Sequence, residues 1–491
     1  MRKKLLSLTA ALLLWQPTGA HLQAQGSAGI DRGAASVPMP LAALMPATAP
    51  MPLAALMPAT ASMPVAASMP VAASMPATAS MPATASMPLA APMPVAAPLL
   101  APAPDTLVQR GRYLTLAGNC VSCHTAPGGK LFAGGLAFAT PFGKIFSTNI
   151  SPDVQTGIGA WTEAQFSRAL REGIRPDGVH LYPVFPYTAF TKITDADAAA
   201  LFAYLKSVPP QRFTAPPNEM SFPFTQRWLM GLWNSMFLGQ GAYRPNSAKT
   251  SEWNRGAYLV EALAHCSACH SPRNVMGAER SDKFMTGGVL IDQVPSGDLR
   301  TWSAPNLTPG ASGLGAWPVA EIAAYLKTGK NSFVTTFGPM NEVIINSTRH
   351  LSDADLRSMA VYLKDLAPND AGAAAAPAPK TLRLGAILYN VYCGTCHLPT
   401  GLGSEESAAR LAGGSLVVRT RNPASLINVI LYGPQLPSPP VPNNRWKAME
   451  AFGDRLSDED VAALASFVMN AWNNQGGAVT AQQVALQRQA E

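Results

Sequence analysis

The stretch RGRYLTLAGNCVSCH, residues 110–124, ends in two cysteines three residues apart with a histidine directly after the second. The same ending returns in RGAYLVEALAHCSACH, residues 255–270, and in GAILYNVYCGTCH, residues 385–397. All six cysteines of the chain fall into these spacings: Cys120 and Cys123 before His124, Cys266 and Cys269 before His270, Cys393 and Cys396 before His397. Two thiols at this spacing on one helical turn form thioethers to the two vinyl groups of a haem, and the next histidine comes under the iron as proximal ligand. Three such motifs imply three covalent c-type haems.

Other uses of paired cysteines fit less well. A disulfide framework suits an exported chain but does not call for a histidine three times over. A thioredoxin-like redox pair needs a βαβ context that is missing. Zinc would need further ligands near pairs that lie far apart in the chain. A proximal histidine also needs its other ring nitrogen held, usually by a carbonyl. Proline loops at Pro127, Pro272 and Pro399 follow the motifs and are expected to supply it. Arg273 is a candidate partner for a haem propionate, or a solvated arginine.

Outward from the motifs, the chain repeats itself at domain scale. STNISPDVQTGIGAWTEAQF is echoed by APNLTPGASGLGAWPVAEIA, and TDADAAALFAYLKSV, residues 194–208, by SDADLRSMAVYLKDL, residues 352–366, and SDEDVAALASFVMNA, residues 457–471. Thr194, Ser352 and Ser457 each stand three residues before an aspartate (Asp197, Asp355, Asp460), the pattern of a capped helix start. Leu201, Tyr204, Leu205 and Val208 then recur at helical spacing. Gly111, Gly256 and Gly385, in the helices that run into the motifs, permit close crossing with these last helices.

The expected fold is therefore mainly α, with three tandem cytochrome c-like domains at 105–215, 251–370 and 381–478. A connecting segment spans 216–250, a linker 371–380 and a tail 479–491.

A haem iron of this type takes a sixth ligand, and methionine raises its potential while closing it to substrates. Met340, in TFGPMNEVI just before the last helix, is the candidate of the second unit, and Met449, in KAMEAFGDRL, that of the third. The first unit has no methionine between His124 and Val208. Its GVHLYPVFPYTAF, residues 178–190, occupies the corresponding segment. His180 is the first-ranked ligand there, with Met220 and an open, five-coordinate iron as alternatives.

The N-terminus reads as an export signal. Arg2, Lys3 and Lys4 precede an apolar run from Leu5 to Trp15, and residues 1–24 are expected to be removed. From Met39 to Pro98 a six-residue unit such as MPATAS repeats. A proline in every unit forbids a continuous helix. Residues 25–104 read as a disordered Pro/Ala/Met-rich tether. Loss of the signal takes the formal charge from +7 to +4, and six haem propionates bring it to about −2. With no basic run, a nucleic-acid partner is excluded. WLMGLWNSMFLG, residues 228–239, is apolar but too short to span a bilayer, and suits a membrane interface or a packed segment.

The motifs, the STNISPD…GIGAWTEAQF and WNRGAYLVEALAHCSACHSPRN stretches and the GPM loop together resemble the triple-haem cytochrome c subunits of bacterial periplasmic dehydrogenase complexes. The resemblance runs from Asp105 to Ala471. It implies an electron-transfer subunit, not itself catalytic, that takes electrons from a dehydrogenase and passes them to ubiquinone or a terminal oxidase. Flavoprotein- and quinoprotein-linked members carry methionine in YPxMPY, where this chain has Phe185. HLYPVFPYTAFTKITDADAAAL is more similar to the group paired with molybdopterin and iron-sulfur subunits, which implies a molybdenum-dependent aldehyde dehydrogenase as partner. Quinoprotein alcohol and flavoprotein sugar dehydrogenases are the alternative partners. A multihaem peroxidase using an open first haem is the alternative of another class. The implied location is the periplasm, at the outer face of the inner membrane with peripheral membrane contact.

Overall fold

The computed structural model describes residues 104–489, apart from 294–298, 371, 373, 438–440, 442 and 443. The expected signal peptide and nearly all of the expected tether lie outside the described residues. Three helical units follow one another within one compact body.

In the first unit, α1 (Pro104–Ala117) leads into α2 (Cys120–His124), which carries the motif. A hairpin of β1 (Ala137–Thr140) and β2 (Gly143–Phe146) comes next, then α3 (Glu163–Glu172), the short α4 (Tyr187–Phe190) and the closing helix α5 (Asp195–Ser207). The connecting segment adds β3 (Glu219–Met220) to the edge of β2 and then forms α6 (Leu229–Phe237). The second unit repeats the plan with α7 (Ser251–Tyr258), α8 (Ser267–His270), the hairpin β4 (Gly288–Gln293) and β5 (Leu299–Ala304), α9 (Val319–Thr328), α10 (Met340–Asn346) and α11 (Asp353–Asp365). The third has α12 (Pro379–Tyr392), α13 (Gly394–His397), α14 (Ala424–Tyr432), α15 (Asp458–Asn470) and α16 (Ala481–Arg488). The mainly α expectation holds. The expected tail folds as α16, whose Val484 is buried and whose Arg488 donates to Asp458 at 2.8 Å.

First and last helices of each unit cross at glycine. A Cβ on Gly111 would lie 1.9 Å from the Ala200 carbonyl oxygen, on Gly256 1.9 Å from that of Ser358, and on Gly385 2.1 Å from that of Ala463. No side chain fits at any of the three, so the backbones touch there.

The caps differ from expectation in an informative way. Thr194, Ser352 and Ser457 each accept from the amide three residues on. Only Asp460 returns the bond to its own cap, completing the reciprocal box. Asp197 and Asp355 turn elsewhere. Asp197 accepts from Arg110 of its own unit at 2.6 Å and from the Tyr258 hydroxyl of the second unit at 2.6 Å. Asp355 accepts from Arg255 of its own unit at 2.8 and 2.7 Å and from the Tyr113 hydroxyl of the first unit at 2.6 Å. The two units thus exchange tyrosines like two hands clasped, and one apolar core runs through both. Charge-assisted bonds of this kind are the stronger class of hydrogen bond. Tyr389 of the third unit donates instead to the Leu398 carbonyl within its own unit, and that unit has a separate core. It docks through β5: Ser303 and Ser425 exchange backbone and hydroxyl bonds at 2.9–3.2 Å.

Candidate functional site

Each motif sits on a short helical turn beyond a longer helix, so the two thiols and the imidazole share one local frame. No disulfide joins the six cysteines. Burial pushes the thiols up, to about 12 for Cys120, Cys123 and Cys266 and to about 11 for Cys269 and Cys393. A redox or nucleophilic pair needs the opposite, a lowered thiol. Among the described residues no group of three or more His, Cys, Asp or Glu side chains gathers as a metal cluster.

The three histidines are held alike. His124 Nδ1 is 2.7 Å from the Thr148 carbonyl oxygen, His270 Nδ1 2.8 Å from that of Pro305, and His397 Nδ1 2.7 Å from that of Ala409. Each carbonyl fixes the tautomer with the proton on Nδ1 and leaves Nε2 as the donor toward a metal. Burial lowers all three imidazoles, which favours the neutral form that a ligand requires.

The acceptors are not in the proline loops where the sequence placed them. They lie 12 to 35 residues beyond the histidines. The first two occupy equivalent places in the STNISP and APNLTP repeats. The following asparagine folds that loop back on itself. Asn149 accepts from Ser151 and donates to the Gln211 carbonyl at 2.6 Å, and Asn306 accepts from Thr308 and donates to the Asn369 carbonyl at 3.1 Å. The repeated asparagine was the sequence signal for this role. Arg273 closes its own loop by donating to the Gly277 and Ala268 carbonyls.

Around His124 lies a cavity of about 640 Å³, of the size that takes a cofactor. Cys120, Cys123 and His124 line it together, its remaining walls are largely apolar, and Arg175 and Arg227 also face it. The residues present therefore fit a thioether-linked haem.

His180 is not among the residues lining that cavity. Its ring lies beside α6, with Nε2 3.2 Å from where a Cβ on Gly231 would be, and its Nδ1 is buried without a hydrogen-bond partner. Phe185 lines the cavity instead, its ring centre 6.5 Å from that of His124. Met220 pairs with Gly143 at the sheet edge and packs in a separate cluster with Tyr187 and Trp233. Met340 opens α10 and packs on the core shared by the first two units, and Met449 packs on the core of the third.

His265 was missed. It stands directly before Cys266 at φ 36°, is partly buried, and lines the cavity of the first unit. A π turn at Leu259–Leu263 puts it there. Cys266 follows Arg255 by eleven positions where Cys120 follows Arg110 by ten. The π turn absorbs the extra one. That length difference was visible in the sequence.

Paired thiols beside anchored imidazoles, in units whose helices cross at glycine, define a c-type cytochrome. Two family models agree: cytochrome c over residues 108–209, and cytochrome c oxidase, cbb3-type, subunit III over 380–468. The chain is 35% identical over 409 residues to the fructose dehydrogenase cytochrome subunit of Gluconobacter japonicus, covering 77% of this chain and 82% of that one. It is 37% identical to the cytochrome c subunit of the quinone alcohol dehydrogenase of Gluconacetobacter polyoxogenes, covering 78% and 85%. It is 43% identical over 370 residues to a nicotinate dehydrogenase subunit of Pseudomonas putida, covering 74% of this chain but 30% of that longer protein. The chain belongs to the family of cytochrome c subunits of dehydrogenase complexes, carries covalent haem c, and serves electron transfer.

Proposed function

We propose that the chain carries three haems c, attached at Cys120 and Cys123, Cys266 and Cys269, and Cys393 and Cys396. His124, His270 and His397 are their proximal ligands, and Met340 and Met449 close the second and third irons. The observation that supports this reading is the threefold anchoring of Nδ1 by a backbone carbonyl at 2.7–2.8 Å. The haem supplies a one-electron change, and the protein supplies ligands, burial and spacing.

The partner is a molybdenum-dependent aldehyde dehydrogenase with its iron-sulfur subunit, and the electrons go on to ubiquinone or a terminal oxidase. The Phe185 variant, in a stretch that resembles the molybdenum-linked group, supports this choice. The location is the periplasmic face of the inner membrane. No helix among the described residues is long and apolar enough to cross a membrane. Trp228, Leu232 and Met236, spaced four apart on and beside α6, are exposed while Met230 and Trp233 are buried, and an apolar stripe of that kind suits peripheral contact.

Purification of the chain with its native partner tests the reading. Molybdenum should co-purify, and an aldehyde should reduce the haems in the intact complex. A flavin or quinone cofactor in place of molybdenum would overturn the choice of partner. Failure of the purified complex to float with liposomes would overturn the membrane contact.

A further inference from the structure

The first unit departs from the other two at one place. In the second and third, a methionine stands just ahead of the last helix. In the first, Phe185 stands there, and its ring faces His124 across the cavity at 6.5 Å between centres and 80° between planes. A haem attached at Cys120 and Cys123 would be held by the imidazole on one side and would meet the phenyl ring of Phe185 on the other.

Among the described residues no methionine lines the cavity, and the imidazoles that do are His124 and His265. His265 packs edge-on against Phe190 at 5.4 Å, and Phe190 in turn packs against Phe185. The Tyr182 hydroxyl donates to the Phe224 carbonyl at 2.6 Å. His180 lies outside, beside Gly231. Phe185 is itself braced by Phe190, ring centres 5.4 Å apart.

We propose that the iron on His124 has no sixth ligand from the protein, and that its far face, covered by Phe185, is a binding site for small neutral diatomic molecules such as carbon monoxide and nitric oxide. The inference rests on the reading that a haem is attached at Cys120 and Cys123. A diatomic bound there would have only the Phe185 ring to move aside. Among the described residues no carboxylate lines the cavity, and its second imidazole, His265, packs on Phe190, so the acid-base pair that peroxide cleavage needs is incomplete. The multihaem peroxidase reading is disfavoured on the same ground.

The test uses the full mature chain. Its intact mass first establishes haem at the first motif. Electron paramagnetic resonance of the oxidised protein should then show one high-spin haem beside low-spin ones, and the reduced protein should take up one carbon monoxide per chain. Phe185→Met should turn the high-spin signal low-spin and abolish carbon monoxide uptake. His180→Ala should leave both unchanged. A loaded wild-type chain that is wholly low-spin and takes up no carbon monoxide overturns the inference. So does a change from low to high spin in His180→Ala or His265→Gln. A chain with no haem on Cys120 and Cys123 overturns the underlying reading instead.

Discussion

At the scale of single residues, the chain is specified by atoms that have no substitute. Gly256 shows this most directly, because a Cβ there would sit 1.9 Å from the Ser358 carbonyl oxygen, which is backbone and cannot rotate away. Gly256→Ala should therefore force α7 and α11 apart and cost about 1–3 kcal/mol, the usual scale of overpacking. Thermal unfolding of the loaded protein measures it, and an unchanged midpoint would contradict the close crossing. The motifs, caps and glycines were legible in the sequence because each acts within a few residues of itself. The carbonyls of Thr148 and Pro305 were not, because the chain must fold a hairpin before it returns to the histidine. His180 illustrates the limit from the other side. A search of the loop for iron donors finds it, but only the packing of α6 shows where its ring goes.

At the scale of elements, helix phase decides where the haem is attached. The π turn at Leu259–Leu263 adds one residue between α7 and the motif, and it turns His265 into the neighbouring unit. Deleting Ala262 removes the residue that the turn absorbs and gives the second unit the Arg-to-Cys spacing of the first. The expected product keeps its haem at the second motif, as read by intact mass and peptide mapping. Loss of that haem would show that the turn does not merely absorb the extra residue. The hairpins β1–β2 and β4–β5 were hidden in the sequence for a related reason. Their strands are short, with partly exposed faces and little alternation, and β5 is held by the sheet-to-helix contact of Ser303 with Ser425, more than a hundred residues apart.

At the scale of the whole molecule, the first two units form one body through the exchange of Tyr113 and Tyr258 onto Asp355 and Asp197. Burial alone would raise the Asp355 carboxyl, but hydrogen bonds from Arg255 and Tyr113 outweigh it and hold the group below its ordinary value. A carboxylate lowered by folding contributes stability that is present above its unfolded pKa, about 3.9, and is lost as pH falls through the folded value. The clasp between the units should thus be intact at neutral pH and weaken below about pH 4. Asp355→Asn should be less stable at pH 7 and show a shallower acid limb in denaturation measured against pH. An acid limb identical to that of the wild type would contradict the clasp. The tandem plan of three units was legible from the repeats. The pairing of two of them was not, because the same aspartates read as caps for their own helices until the partner tyrosines are in place.

The central claim is that each of the three paired-cysteine motifs holds a covalent haem. The intact mass of the mature chain, with peptides mapped across the three motifs, tests it most directly. The account expects a gain equal to three haems, one on each pair. A gain of two or fewer in the fully matured protein, or a motif whose peptide carries free thiols, would contradict it.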